Sequence, residues 1–299
     1  MRPRCRPFFP ANRQVDEGGF ILIPVLLTIA LLSLVALTIS IAAREDVRVS
    51  ALNSRRAEAQ ALADGVANLT IRHLVMRATT GGEVFKVTTD GTPLPCRVAD
   101  RFATIEVFDA SGLIDLNSAS NEVLTRLFVG AGADNEAAAN LAAAVSDFRD
   151  YDDITQPGGA EAAEYRAAGA NHGPKNAPFS SVDELDQVLG MTPALLARVR
   201  PLVTVHSPAS NVNLDVASEA VKSLGLPATT GAHIGASTFI IRVGVDGPGA
   251  VRFVREAVIG ITTRLDAKYI IKQWTALDPG PIKMGIAGIE AASCIEALR

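Results

Sequence analysis

A chain of 299 residues, 48% of them apolar and 20% charged, can bury one large core or two modest ones and is not composed like a disordered polymer. Its formal net charge of -4 and pI near 5.6 argue against a nucleic-acid partner, because binding phosphates at physiological salt needs a concentrated basic face. The three cysteines, Cys5, Cys96 and Cys294, are too sparse and too far apart for a paired-cysteine metal cluster.

The chain begins with Arg2, Arg4, Arg6 and Arg13, and then runs from Phe20 to Ala43 without a charged residue. Such a stretch clears the roughly 20 residues a helix needs to span a bilayer. The positive-inside bias keeps the arginines cytoplasmic, which anchors the protein in the inner membrane and sends the remainder into the periplasm. Gly18 and Gly19 precede the apolar run, whereas an ordinary secretory signal places its small residues after a shorter one. A cut between Gly19 and Phe20 would remove a leader (1–19) and keep the whole membrane helix (20–43). Two cysteines would then remain. An exported domain would allow a Cys96–Cys294 bridge, whereas two unrelated buried thiols are equally compatible with the sequence.

Past the membrane, a helix is predicted to continue over 44–80, since no proline interrupts the run to about Arg77 and only Gly65 weakens it. Leu62, Val66, Leu69, His73 and Met76 follow spacings of three or four, predicting a packed face, with Arg55, Arg56, Glu58 and Asp64 wetted. His73 is a stripe residue on this reading, not a ligand.

After Gly81-Gly82 the pattern changes to β-like runs at Glu83–Thr88 and Phe102–Phe108, and it returns at Thr238–Val245, Phe253–Thr262 and Tyr269–Leu277. Asp246-Gly247-Pro248-Gly249 reads as a hairpin turn. The fold class is therefore α+β: a long helix packed on a small antiparallel sheet (81–110 and 232–280), an α-helical domain inserted over 111–231, and a tail over 281–299. Within the insertion, helix starts are expected at Ser118, Ser180 and Thr192-Pro193. Two segments repeat one another, Asp115-Leu116-Asn117-Ser118-Ala119-Ser120 and Asn213-Leu214-Asp215-Val216-Ala217-Ser218, each followed by an acidic residue, Glu122 or Glu219, in the first helical turn.

Together these features resemble a known family. Gly19-Phe20-Ile21-Leu22-Ile23-Pro24 looks like the leader junction of type IV pilins and pseudopilins, which a prepilin peptidase cuts before methylating the new N-terminus. Most such proteins carry a glutamate where this chain has Pro24; its absence is characteristic of the K subunit of type II secretion, the general secretion pathway. Further landmarks occur in that subunit's order: Leu116-Asn117, the acidic stretch Asp147 to Asp153, Gly159-Ala160-Glu161, Tyr165, Lys175 to Phe179, Ser181 to Leu185, Gly190-Met191, Val203 to Val205 and Asn213-Leu214. The similarity runs from Gly19 to Trp274. It implies a non-enzymatic minor pseudopilin that caps the pseudopilus with the I and J minor pseudopilins and works with an inner-membrane secretion platform.

The same residues also resemble helix-hairpin-helix modules that grip DNA through glycine amides and lysines, at Val129-Gly130-Ala131-Gly132 and Leu189-Gly190-Met191-Thr192. Charge opposes that alternative, a DNA-uptake receptor: between Asp134 and Asp186 eleven acidic residues face three basic ones, Arg149, Arg166 and Lys175. His73, His172, His206 and His233 offer no close-spaced metal pair, and no serine sits in a nucleophile elbow. Asp147, Asp150, Asp152, Asp153, Glu161 and Glu164 are the one candidate ion site, hard oxygen donors around a Gly158-Gly159 loop. Their spacing is not that of an EF-hand, and calcium is the ion the family resemblance implies.

Overall fold

The computed structural model describes residues 22–80, 87–207, 209–227, 237–247, 252–262, 269–277 and 292–298. The Gly19–Phe20 junction, residues 83–86 of the first expected strand, and Pro248-Gly249 of the expected hairpin turn lie outside them. The chain divides into two compact units, 1–54 and 55–299. In the first, helix α1 (Leu22–Thr80) begins, and its residues from Leu22 to Ala43 are exposed and uncharged. Those 22 residues make about 33 Å of helix, the thickness of a bilayer's hydrocarbon core.

In the second unit, the part of α1 after Arg55 lies against a five-stranded antiparallel sheet. The strands are β1 (Leu94–Val98), β2 (Arg101–Asp109), β5 (Thr238–Asp246), β6 (Arg252–Ile261) and β7 (Tyr269–Leu277), in that spatial order. The buried face of α1 is centred on Ala59, Ala63, Val66, Ala67, Ile71 and Leu74. The expected stripe of Leu62, Leu69 and His73 is only half-buried and Met76 is exposed. The shift has a steric cause: alanines let the helix backbone approach the sheet, and the larger leucines flank the seam. Asp64, expected in water, instead pairs with Arg255 of β6 at 2.5 Å, and Arg255 stacks against Trp274.

Strand alternation divides the sheet between two cores. Ile105, Val107, Ile241, Val243, Phe253 and Ile259 face α1, whereas Ile240 and Val258 join the core of the insertion, as a period of two requires. Sequence patterning missed β1 because Pro95 interrupts it, but β1 lies at an edge of this sheet, where proline is tolerated. Its outer side is covered by the C-terminal segment. Arg97 N–H donates to the Ala292 carbonyl, Cys96 and Cys294 are joined by a disulfide, and Leu298 at the end of α7 (Cys294–Ala297) is fully buried.

Between β2 and β5 the chain forms α2 (Asn121–Gly130), α3 (Asn135–Arg149), α4 (Ala162–Ala167), a 3-10 turn (Val182–Gln187), α5 (Pro193–Val199) and α6 (Glu219–Lys222). Two short strands, β3 (Ile114–Asp115) and β4 (Val203–Thr204), pair in parallel. Asp134 caps α3 and Thr192 caps α5, with Pro193 at its first position. Ser120, rather than Ser118, caps α2, and Ser181, rather than Ser180, caps the 3-10 turn. The Ser118 hydroxyl is employed elsewhere, donating to the Ala209 carbonyl at 2.8 Å.

Candidate functional site in the helical insertion

The repeated segments fold alike. Asp115 accepts from Asn117 N–H and Asn213 accepts from Asp215 N–H, while Ser120 and Ser218 cap the helices that follow. These Asx-type turns satisfy backbone groups that no regular element reaches. Asp115, almost wholly buried, also accepts from Ser207 N–H at 2.9 Å, and burial pushes its carboxyl above the ordinary range. Asn117 makes a reciprocal pair with Phe179, accepting its N–H at 2.7 Å and donating to its carbonyl at 3.0 Å. Arg149, at the end of α3, donates to the carbonyls of Leu116 and Ala119. A cation at a helix C-terminus is thereby turned into a clamp on the loop before α2.

The acidic stretch begins two residues earlier, at Asp147. Asp147 is fully buried and accepts from Gln156 N–H at 3.2 Å, and burial raises its carboxyl. Gly158 and Gly159 permit this closure: Gly158 has φ +80, and a Cβ on Gly159 would lie 2.1 Å from Asp147 Oδ2. Asp152 accepts from Ile154 N–H, and Asp153 accepts from the Asn176 amide at 2.9 Å. Asn176 sits in the left-handed region, with φ 49, and its amide also reaches the Asp152 carbonyl. Sequence reading had not singled it out as the residue that pins this loop.

Glu161 stands apart. The residue is 3% exposed, and beyond the capping box it shares with Glu164 neither carboxylate oxygen has a hydrogen-bond partner. Burial, followed by the charges of Asp147, Asp150, Asp153 and Asp152, pushes its carboxyl up to about 7. Asp150 Oδ1 is likewise buried without a partner. Glu164 is already employed, accepting Glu161 N–H at 2.9 Å in the first turn of α4, which holds its carboxyl below the ordinary range. The orphaned oxygens are the donors a hard cation takes. Among the described residues, however, no three His, Cys, Asp or Glu side chains as they stand form a group that could hold a metal ion. Ligand chemistry is present without a closed ligand cage.

The candidate DNA hairpins exist as local geometry, for Gly132 and Gly190 both have positive φ between helical segments. The three basic residues of the acidic stretch each have a partner within the chain. Arg149 clamps the loop before α2, Arg166 donates to Ala162 O, and Lys175 pairs with Glu184 at 2.8 Å. Of the three, Arg149 and Lys175 are tied up within the fold, and one exposed arginine, Arg166, is no basic face for phosphate.

A long apolar N-terminal helix whose later part packs on an antiparallel sheet, with a helical domain between the second and third strands in the chain's order along that sheet, defines a pilin-like fold with a helical insertion. Residues 105–208 match the family described as Type II secretion system (T2SS), protein K. The chain's fold is similar to that of a chain in "The Crystal Structure of the GspK-GspI-GspJ complex from enterotoxigenic Escherichia coli Type 2 Secretion System", at 15% identity and a TM-score of 0.56, covering 76% of this chain and 98% of that one. A comparison with curated proteins finds no match. The resemblance read from the ordered landmarks is matched by that family over residues 105–208, and the solved structure shares the fold.

Proposed function

We propose that this chain is a minor pseudopilin of type II secretion that assembles with the I and J minor pseudopilins at the tip of the pseudopilus and supports export across the outer membrane. The observation that carries this reading is the protein K match over residues 105–208, which spans the insertion from β2 to β4. Its work is assembly, not catalysis. Membrane helix 20–43 holds the subunit beside the secretion platform until its partners bind, and the inserted domain obstructs addition of a further subunit above it.

Coexpression of the full chain with I and J subunits in a membrane host, followed by affinity purification, tests the proposal. A stoichiometric ternary complex, together with loss of secretion on deletion of the chain, is expected. Failure to associate with either partner overturns it. Prepilin peptidase should release a mature protein beginning at Phe20, and a different N-terminus in protein sequencing overturns that part.

We further propose that the Asp147–Glu164 segment takes calcium, with Glu161, Asp150 and Asp147 closing on the ion and Asp152 and Asp153 completing the charge. Calcium would supply the positive charge that the unpaired Glu161 lacks. An ion bound only by the native state stabilises it by about 2.7 kcal/mol at 100 times its dissociation constant. Melting of the full chain in detergent, with calcium and with chelator, should differ, and the difference should vanish in Asp147→Asn/Glu161→Gln. Equal melting temperatures overturn calcium binding without touching the pseudopilin reading.

A further inference from the structure

The face of the sheet opposite α1 is not wholly covered by the insertion. A cleft of about 770 Å³ opens there between the sheet and the insertion and reaches round to Arg56 of α1, with Val182, Val205 and Leu277 as its half-buried apolar lining. A second recess of about 470 Å³ adjoins it through Val205 and His206 and extends to Ile270 and Lys272. Together they follow β7 from Ile270 to Leu277, about 23 Å at 3.3 Å per residue. The length suits an extended segment, and each volume falls within the usual ~300–1,000 Å³ of ligand clefts.

The charge of this cleft runs against that of the molecule. Two of its arginines are satisfied by carboxylates at the site, Arg242 by Glu256 at 2.7 Å and Arg200 by Asp183. Arg56, which lines the larger recess, and Lys272, which lines the smaller, have no carboxylate partner among the described residues, although Lys272 donates to Thr238 Oγ1 at 2.9 Å. The groove therefore holds two surplus positive charges beside an apolar lining in a chain of net charge -4. Such charge complementarity selects and steers partners more than it adds affinity.

We propose that this groove docks an extended segment of another protein in which acidic and apolar residues alternate, with carboxylates meeting Arg56 and Lys272 and apolar side chains resting against Val182, Val205 and Leu277. A strand-like segment suits both features, because its period of two puts one residue set on the apolar lining while the other faces the rim. A small anion has the charge but not the length to engage both recesses. The assignment does not depend on the pseudopilin reading.

The test uses the full chain in nanodiscs of zwitterionic lipid and a fluorescein-labelled octapeptide alternating Glu and Val, with a Lys-Val octapeptide as control and empty nanodiscs as blank. Anisotropy should show binding of the acidic peptide only, weakening as salt rises. Arg56→Glu and Lys272→Glu should each lower affinity about three- to tenfold, and Ala276→Trp should block binding by filling the groove. Trp274 fluorescence would report intact folding of the charge variants. Equal binding of the two peptides, no binding of the acidic one, unchanged affinity in the folded variants, or competition by citrate as strong as by unlabelled peptide would each overturn the proposal.

Discussion

In the sheet half, four strands of nine or ten residues lie against one helix face, and an apolar alternation repeats from β2 through β6. In the insertion, the longest helix after α1 has 15 residues, the strands have two, and much of the backbone is held by side chains: Asp115, Asn117, Asp147 and Arg149. The first half is redundant, because a register shared by many residue pairs does not depend on one of them. The second is not, because each of these polar side chains holds the backbone of a particular turn. Burying a polar group without its partner costs about 1–3 kcal/mol, so the insertion should be sensitive to single polar substitutions that the sheet would absorb. The sheet's own vulnerability is at its margin, where the C-terminal segment is tied by one covalent bond.

The largest test of that contrast is at the disulfide. Cys96 and Cys294 are 198 residues apart in sequence, and opening a loop of that size releases about 5 kcal/mol of chain entropy in the unfolded state. The Cys96→Ser/Cys294→Ser double variant should lower the melting temperature of the full chain. Hydrogen exchange should show protection lost first along β1, with the insertion still protected. Uniform loss in both halves would break the comparison.

Within the insertion, Phe148 is buried and stacked on Phe179, with ring centroids 4.9 Å apart. Phe148→Ala should destabilise by about 3–5 kcal/mol in denaturant titration, with exchange accelerated in α3 and little change on the α1 face of the sheet. Asn117→Ala leaves the Phe179 N–H and carbonyl unpaired and should destabilise by about 2–3 kcal/mol. A substitution of similar size on the outer rim of the sheet, such as Thr275→Ala, should change stability by less than about 0.5 kcal/mol.

The smallest effect is one of pH. Glu161 is raised from 4.5 to about 7 in the folded state, so between those values the native form binds more protons than the unfolded form. Stability in chelator should therefore be greatest near pH 4.5 and fall as pH rises towards 7. Asp115, Asp147 and Asp150, also raised, act in the same direction. Glu161→Gln should flatten much of the slope, and an unchanged slope would mean that Glu161 is not the group responsible.

Most of the sheet could be read from sequence because strand alternation is local: Tyr269–Leu277 is the strand found, and Phe102–Phe108 and Thr238–Val245 each fall one or two residues short of it. The membrane-length run and its continuation to Thr80 were equally legible, since charge absence and helix spacing lie along the chain. The repeated Asp115 and Asn213 segments were visible, and their shared purpose as Asx-type turns before capped helices follows from residue type. The site was half legible. The carboxylates were identified, but nothing in their spacing distinguished Glu161, buried and unpaired, from Glu164, held at a helix start.

Sequence by itself determined which segments are apolar, where the membrane-length helix and the four longer strands of the sheet run, and which residues carry charge, because these depend on neighbours within a few positions. Tertiary structure decided the rest. It chose the alanine face of α1 over the leucine stripe because close approach to a sheet favours small side chains. It joined Asn117 to Phe179 across 62 residues and Cys96 to Cys294 across 198. It also separated six similar carboxylates by burial, since the free energy of a charge depends on the water and ions around it, and only the folded chain sets those.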